Sequence, residues 1–187
     1  MHAIPVIRRG CGALRRRAFG TGGAAQAYPY PLIRDTAAAA VALAPRGGVQ
    51  AAIRFTAPGG GDAGSGIVGW TTDAQAPIRA QTFVENRAFW TAMVLPVLAE
   101  HAHADPELQA LAAFQKTGWL NIADGRNPPS PGRTPAAEDI LGCVLLEDRQ
   151  IKRGSFQPND IHRPATADGL FQLPQFLHAR LVERLGR

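Results

Sequence analysis

Residues 80–103, AQTFVENRAFWTAMVLPVLAEHAH, place the strongest condition on the fold. Read as a helix, they carry polar residues early, at Gln81, Glu85 and Asn86, and are apolar nearly all round afterwards. A helix with so little polar surface must be covered, so the segment predicts a buried central helix that the other elements wrap. Pro96 falls inside it and predicts a kink, because proline gives no N–H and crowds the carbonyl four residues back. Next, Asp105 as N-cap, Pro106 in the first position and Glu107 in the first turn predict a fresh helix over ADPELQALAAFQK.

The wrapping elements are read from their own periods. VQAAIRFTA (49–57) and GIVGWTTD (66–73) predict two strands joined by the glycine-rich PGGGDAGSG. DILGCVLLED and IKRGSFQ predict a second hairpin that turns near Asp148, Arg149 and Gln150. Near the end, Leu173, Phe176, Leu177, Leu181 and Leu185 recur every three or four residues, which makes 173–185 an amphipathic helix. The fold class is therefore α+β, a small antiparallel sheet from two hairpins packed against a kinked central helix and a C-terminal amphipathic helix. Residues 118–139 read as a proline-braced loop and 27–35 as an extended strip. A short helix fits 35–44, with Asp35 or Thr36 as N-cap.

The charge is uneven, and this bears on organisation. Residues 1–34 hold six arginines and no acidic residue, the first acid being Asp35. Without residues 1–19 the basic and acidic residues balance, 15 against 15. A domain that held nucleic acid through its phosphates would keep a basic excess, so direct nucleic-acid binding by the body is not expected. The arginine-rich, acid-free start fits a mitochondrial presequence, and RRAFGT resembles a presequence processing site with the cut after Phe19. The organisation expected is 1–19 as a removed presequence, 20–48 as an extended entry segment with a possible short helix, and 49–187 as a single α+β domain. The location expected is the mitochondrial matrix. No apolar run reaches membrane-spanning length, AFWTAMVLPVLA being 12 residues, so a soluble protein is expected.

Few residues carry a chemical signal. His101 and His103 are two apart on a helix end and point to opposite sides, so no metal site is read there. Cys143 stands alone in an apolar run and reads as a structural thiol. PGGGDAGSG lacks the Gly-Lys-Ser/Thr of a phosphate loop, and none of Ser65, Ser130 and Ser155 sits in a nucleophile elbow. No cofactor is implied.

Two polar segments remain. DGRNPPSPGR carries Asp124, Arg126, Asn127 and Arg133; QPNDIHRPATAD carries Gln157, Asp160, His162, Arg163 and Asp168. Brought together, Arg126, Asn127, Arg133 and Arg163 would form an anion pocket, guanidinium offering a planar fork to carboxylate or phosphate. His162 beside Asp160 would serve as acid and base. The competing reading has these arginines pinning long loops to the body. The aromatics Trp70, Phe83, Phe89, Trp90, Phe114 and Trp119 are expected to build the core between hairpin and helices, Trp70 and Trp119 being the ones most open to partial exposure. Trp70 and Trp119 stand at element ends and are the candidates for a partner interface. The first functional expectation is a small mitochondrial accessory or assembly factor that acts by protein–protein binding without catalysis. The alternative is a small enzyme or ligand-binding protein built on the arginine pocket.

Overall fold

The structure, a computed structural model, describes residues 30, 32–36, 48–55, 66–130 and 133–186. The fold is α+β with antiparallel sheets. The first sheet runs β1 (Ile33–Asp35), β2 (Ala51–Arg54), β3 (Ile67–Thr71) and β4 (Phe83–Glu85), each strand antiparallel to the next. The second is ordered β5 (Gly118–Ala123), β6 (Ile140–Glu147), β7 (Gln150–Ile151), with β8 (Gln157–Pro158) also on β6. A small third sheet pairs β9 (Ala165–Thr166) with β10 (Gly169–Leu170). The two expected hairpins are thus present, each at the heart of its own sheet. The loop 56–65 and residues 37–47, where the short helix was read, lie outside the described residues. Asp35, offered as that helix's cap, belongs to β1.

The central helix starts later than its apolar pattern implies. Residues 83–85 form a strand because Phe83, Val84 and Glu85 pair with Thr71, Trp70 and Gly69. Asn86 then ends the strand and caps the helix: its side chain accepts from Phe89 N–H and donates to the Ile67 carbonyl. The helix runs as α1 (Arg87–Phe89), a π turn (Trp90–Val94) and α2 (Leu95–His101), closed by a 3₁₀ turn (Ala102–Ala104). Pro96 sits in the first turn of α2, directly after the π turn, where the Leu95 N–H reaches back five residues to the Trp90 carbonyl. Pro96 itself has no N–H to donate, and the first turn of a helix segment is where that costs least. Nor is the helix covered all round, since Thr91, Ala92, Ala99 and Glu100 face solvent.

Asp105 caps α3 (Pro106–Gln115), its Oδ1 accepting from the N–H groups of Glu107 and Leu108. After it, 118–123 is not loop but β5, which pairs along its length with β6. Asp148 and Arg149 both take positive φ, 49° and 66°, as a two-residue turn between β6 and β7 requires. The chain closes with α4 (Gln175–Leu185), burying Leu177, His178 and Leu181. One continuous core joins Ile53 and Val68 of the first sheet and Val94, Val97 and Leu98 of the central helix. It reaches Leu120, Ile122, Leu141 and Val144 of the second sheet and Leu181 of α4. Trp70 is buried, as expected of a core aromatic, in a smaller cluster with Ala52 and Ile67, which takes it out of the candidates for a partner interface. Phe114, expected in the core, is 85% exposed.

Candidate functional site

The two polar segments that sequence alone left apart meet around Asp124. This residue follows the last position of β5; its N–H bonds the Asp139 carbonyl, and the next N–H, of Gly125, bonds the Gln172 carbonyl. The carboxylate is fully buried. Its Oδ1 accepts from the backbone N–H of Arg126 at 3.1 Å and of Gln172 at 2.8 Å. Its Oδ2 lies 2.9 Å from Nε2 of His162 and 3.5 Å from the Arg126 guanidinium. A buried carboxylate survives only when its lone pairs are used in this way.

Arg126 is sealed as completely. Its Nε bonds Asp139 Oδ1 at 3.1 Å, Nη1 reaches the carbonyls of Pro164 and Gly169, and Nη2 those of Glu138 and Arg163. Asn127 donates to the second oxygen of Asp139. Every nitrogen of the guanidinium is therefore used on the protein itself. Arg126 is a brace for loops and cannot hold an anion, so the pocket expected around it does not form. Arg133 is exposed, and neither it nor Asn127 lines the cleft described next.

His162 is the group whose chemistry stays open. Its ring stacks on Trp90, centroids 4.8 Å apart and planes 12° from parallel, with Phe171 edge-on at 6.2 Å. The π turn begins at Trp90 and is the local feature that presents the indole there. Because Asp124 accepts, Nε2 carries the hydrogen. Nδ1 is buried and has no hydrogen-bond partner among the described residues, the side chain being 1% exposed. The carboxylate beside the imidazole is thus Asp124, 38 positions away, and not the neighbouring Asp160. A tight turn in which the His162 N–H bonds the Asn159 carbonyl leaves Asp160 exposed.

His162 forms part of the wall of two adjoining cavities, one of about 450 Å³ and a more enclosed one of about 150 Å³. Both are also lined by Glu85, Arg87, Asp160 and Pro164, and the larger by Arg163. Glu85 and Arg87 lie 3.8 Å apart as an exposed pair. Among the described residues the side chains of Asp160 and Arg163 make no hydrogen bond or ion pair. Glu85 and Arg87 had no sequence signal, since they fell inside a segment read as helix.

Compared with family models, curated proteins and solved structures, the chain matches none. Its surface has to be read on its own chemistry. Cys143 is half-buried in β6, and burial pushes its thiol up, away from the reactive thiolate. Ser155 is spent on a turn, donating to the Lys152 carbonyl and accepting from Leu145 N–H. Among the described residues no three His, Cys, Asp or Glu side chains are placed to hold a metal, and no helix is long and apolar enough to cross a membrane.

Among the described residues the exposed large apolar side chains are Ile161, beside the cleft, and three on α3 and β5. The solvent side of α3 presents Ala110, Leu111, Ala113 and Phe114 between Glu107 and Gln115, with Leu111 50% exposed. Trp119 follows at the start of β5, 46% exposed, and Gln115 ties the helix to that strand by donating to the Trp119 carbonyl. β5 is a terminal strand that pairs, among the described residues, only with β6.

Proposed function

We propose that this protein is a mitochondrial accessory factor that acts by binding another protein through α3 and the start of β5. The observation that carries the reading is Phe114, 85% exposed on a helix side that it shares with Leu111, Ala110 and, one turn earlier, Glu107. Burying a phenylalanine side chain is worth about 1.5–3 kcal/mol, so leaving one in water is a standing cost that a partner would remove. The occupant this surface fits is an extended segment with apolar side chains. Its backbone would add to the outer edge of β5 beyond the Trp119 carbonyl, which Gln115 holds, while its side chains cover Phe114 and Trp119. The mitochondrial part of the proposal is supported by the acid-free, arginine-rich first 34 residues.

The test is native size in gently lysed mitochondria, comparing a C-terminally tagged copy with its Leu111→Asp, Phe114→Asp form. The N-terminus of each is read by mass spectrometry. The wild type should migrate in an assembly larger than a monomer and start near Gly20, and the variant should fall to monomer size with an unchanged Tm. A monomeric wild type, or a variant that stays in the assembly, overturns the docking surface. An intact Met1 outside mitochondria overturns the address.

A further inference from the structure

We propose that the segment docking on β5 is an acidic strand, an extended peptide whose apolar residues are bordered by carboxylates. The inference rests on α3 and β5 being the docking surface, and it starts from the backbone of the edge. Leu145 of β6 turns its polar groups away from β5, its carbonyl accepting from Lys152 N–H and its N–H bonding Ser155 Oγ. Such groups alternate along an antiparallel pair. Trp119, opposite Leu145, and Asn121, opposite Cys143, therefore point theirs outward from β6. Gln115 holds the Trp119 carbonyl. The Trp119 N–H and both polar groups of Asn121 have no backbone partner among the described residues. Edges of this kind are usually blunted by charge or proline, and residues 118–122, GWLNI, have neither. A bare edge of this length takes a strand.

Charge decides what kind of strand. Lys116 ends α3 with a φ of 75°, and its carbonyl accepts from Arg149 N–H at 3.1 Å, which sets the β6–β7 turn beside the start of β5. Both side chains are exposed, and neither is bonded to another described residue. Lys116 stands between Phe114 and Trp119 in the chain, so the two cations border the exposed aromatics. Of the acids in the turn, Glu147 is taken by Lys152 at 2.7 Å, which leaves Asp148 alone against Lys116 and Arg149. Glu107 lies at the far end of α3, about 10 Å from Phe114 along the helix axis. A basic strand would meet the two cations as like charges. An acidic one pairs with them while its apolar residues cover Phe114 and Trp119. Exposed aromatics beside cations also suit single-stranded nucleic acid, but stacked bases would leave the N–H and C=O groups of the edge unused.

The experiment titrates the full-length, ¹⁵N-labelled protein at low salt with two capped peptides, EEVTVTVEE and KKVTVTVKK, and with a short oligouridine. The amides of 118–123 are followed by NMR, which separates this site from the arginine-rich first 34 residues. The acidic peptide should saturate, shift Trp119 and Asn121 most, and bind at least tenfold tighter than the basic one. Lys116→Glu combined with Arg149→Glu should invert that order without moving Tm. If the pair costs stability, Arg149→Gln alone decides, by a loss of about threefold for the acidic peptide. An equal response to the two peptides, or an order that these changes leave as it was, overturns the acidic partner while β5 stays the edge that is used. Tighter binding of oligouridine overturns it in favour of nucleic acid. If neither peptide moves those amides, the edge is overturned, and with it the docking surface.

Discussion

Nε2 of His162 lies 2.9 Å from Oδ2 of Asp124, although 38 residues separate them in the chain. The same carboxylate faces the Arg126 guanidinium and accepts from Gln172 N–H, so one buried side chain ties three segments. Replacing Asp124 with Ala leaves a buried arginine short of one partner and orphans both nitrogens of the histidine. Such a break of a buried charged cluster costs about 3–5 kcal/mol. Urea unfolding of Asp124→Ala measures it, and a loss under about 1 kcal/mol would show that the cluster carries little of the stability.

Acid should weaken the fold through His178. This residue stacks on Tyr30, centroids 3.6 Å apart, and burial holds its pKa at about 4 against the ordinary 6.5. The unfolded chain takes up the proton first, so stability is intact above pH 6.5 and falls as pH drops from 6.5 to about 4. The slope from this residue is at most about 1.4 kcal/mol per pH unit. His178→Phe keeps the stack and removes the proton site. Tm measured at pH 7.5, 5.5 and 4.5 should fall less steeply for the variant, and parallel curves would put the acid sensitivity elsewhere.

Gly142 is required by a close approach. A Cβ there would stand 2.6 Å from the Gln157 carbonyl oxygen and 2.5 Å from the Phe156 ring, closer than side chains tolerate. Gly142→Ala should destabilise by about 1–3 kcal/mol, the usual cost of overpacking, by pushing β8 off β6. An alanine variant with an unchanged urea midpoint would mean that β8 moves freely.

The cap of α3 gives a smaller, cleaner effect. Asp105 is 1% exposed and its Oδ1 serves two backbone N–H groups. Asp105→Ala should cost about 1 kcal/mol, the ordinary worth of an N-cap, and Asp105→Asn should recover most of it. Equal losses for the two variants in thermal melts would assign the effect to the charge.

Exposed positions should behave differently. Phe114→Asp replaces a side chain that is 85% exposed, so it should change stability by less than about 0.5 kcal/mol while abolishing assembly. Should differential scanning calorimetry show a large drop in Tm, Phe114 is a core residue in solution.

Much of the fold was legible because local chemistry and tertiary structure agree. Asp105-Pro106-Glu107 starts a helix, Asp148-Arg149 turns a hairpin, and the leucines of 173–185 face the core as their spacing requires. β5 was missed though Leu120 and Ile122 are buried and alternate with less-buried Asn121 and Ala123, because the prolines behind it dominated the reading. At 83–85 a strand and a helix fit the same apolar residues, and only pairing with β3 decides between them. The site was the least legible. His162 and the meeting of the two loops could be named, but that its carboxylate is Asp124, and that Arg126 is consumed by backbone carbonyls, depends on contacts across 12 to 43 residues. No local pattern encodes those. Trp90 reaches His162 from a π turn that the sequence marks only by Pro96 nearby.

The inward fork of Arg126 also sets how this part of the molecule comes undone. Four carbonyls, on residues 138, 163, 164 and 169, share one guanidinium with Asp139. None of those segments can lift away without stripping bonds from the others, so 124–127, 137–139 and 162–170 open and close as one cooperative unit. Amide hydrogens in all three should exchange at a common rate, and a protease that gains access to one gains the others.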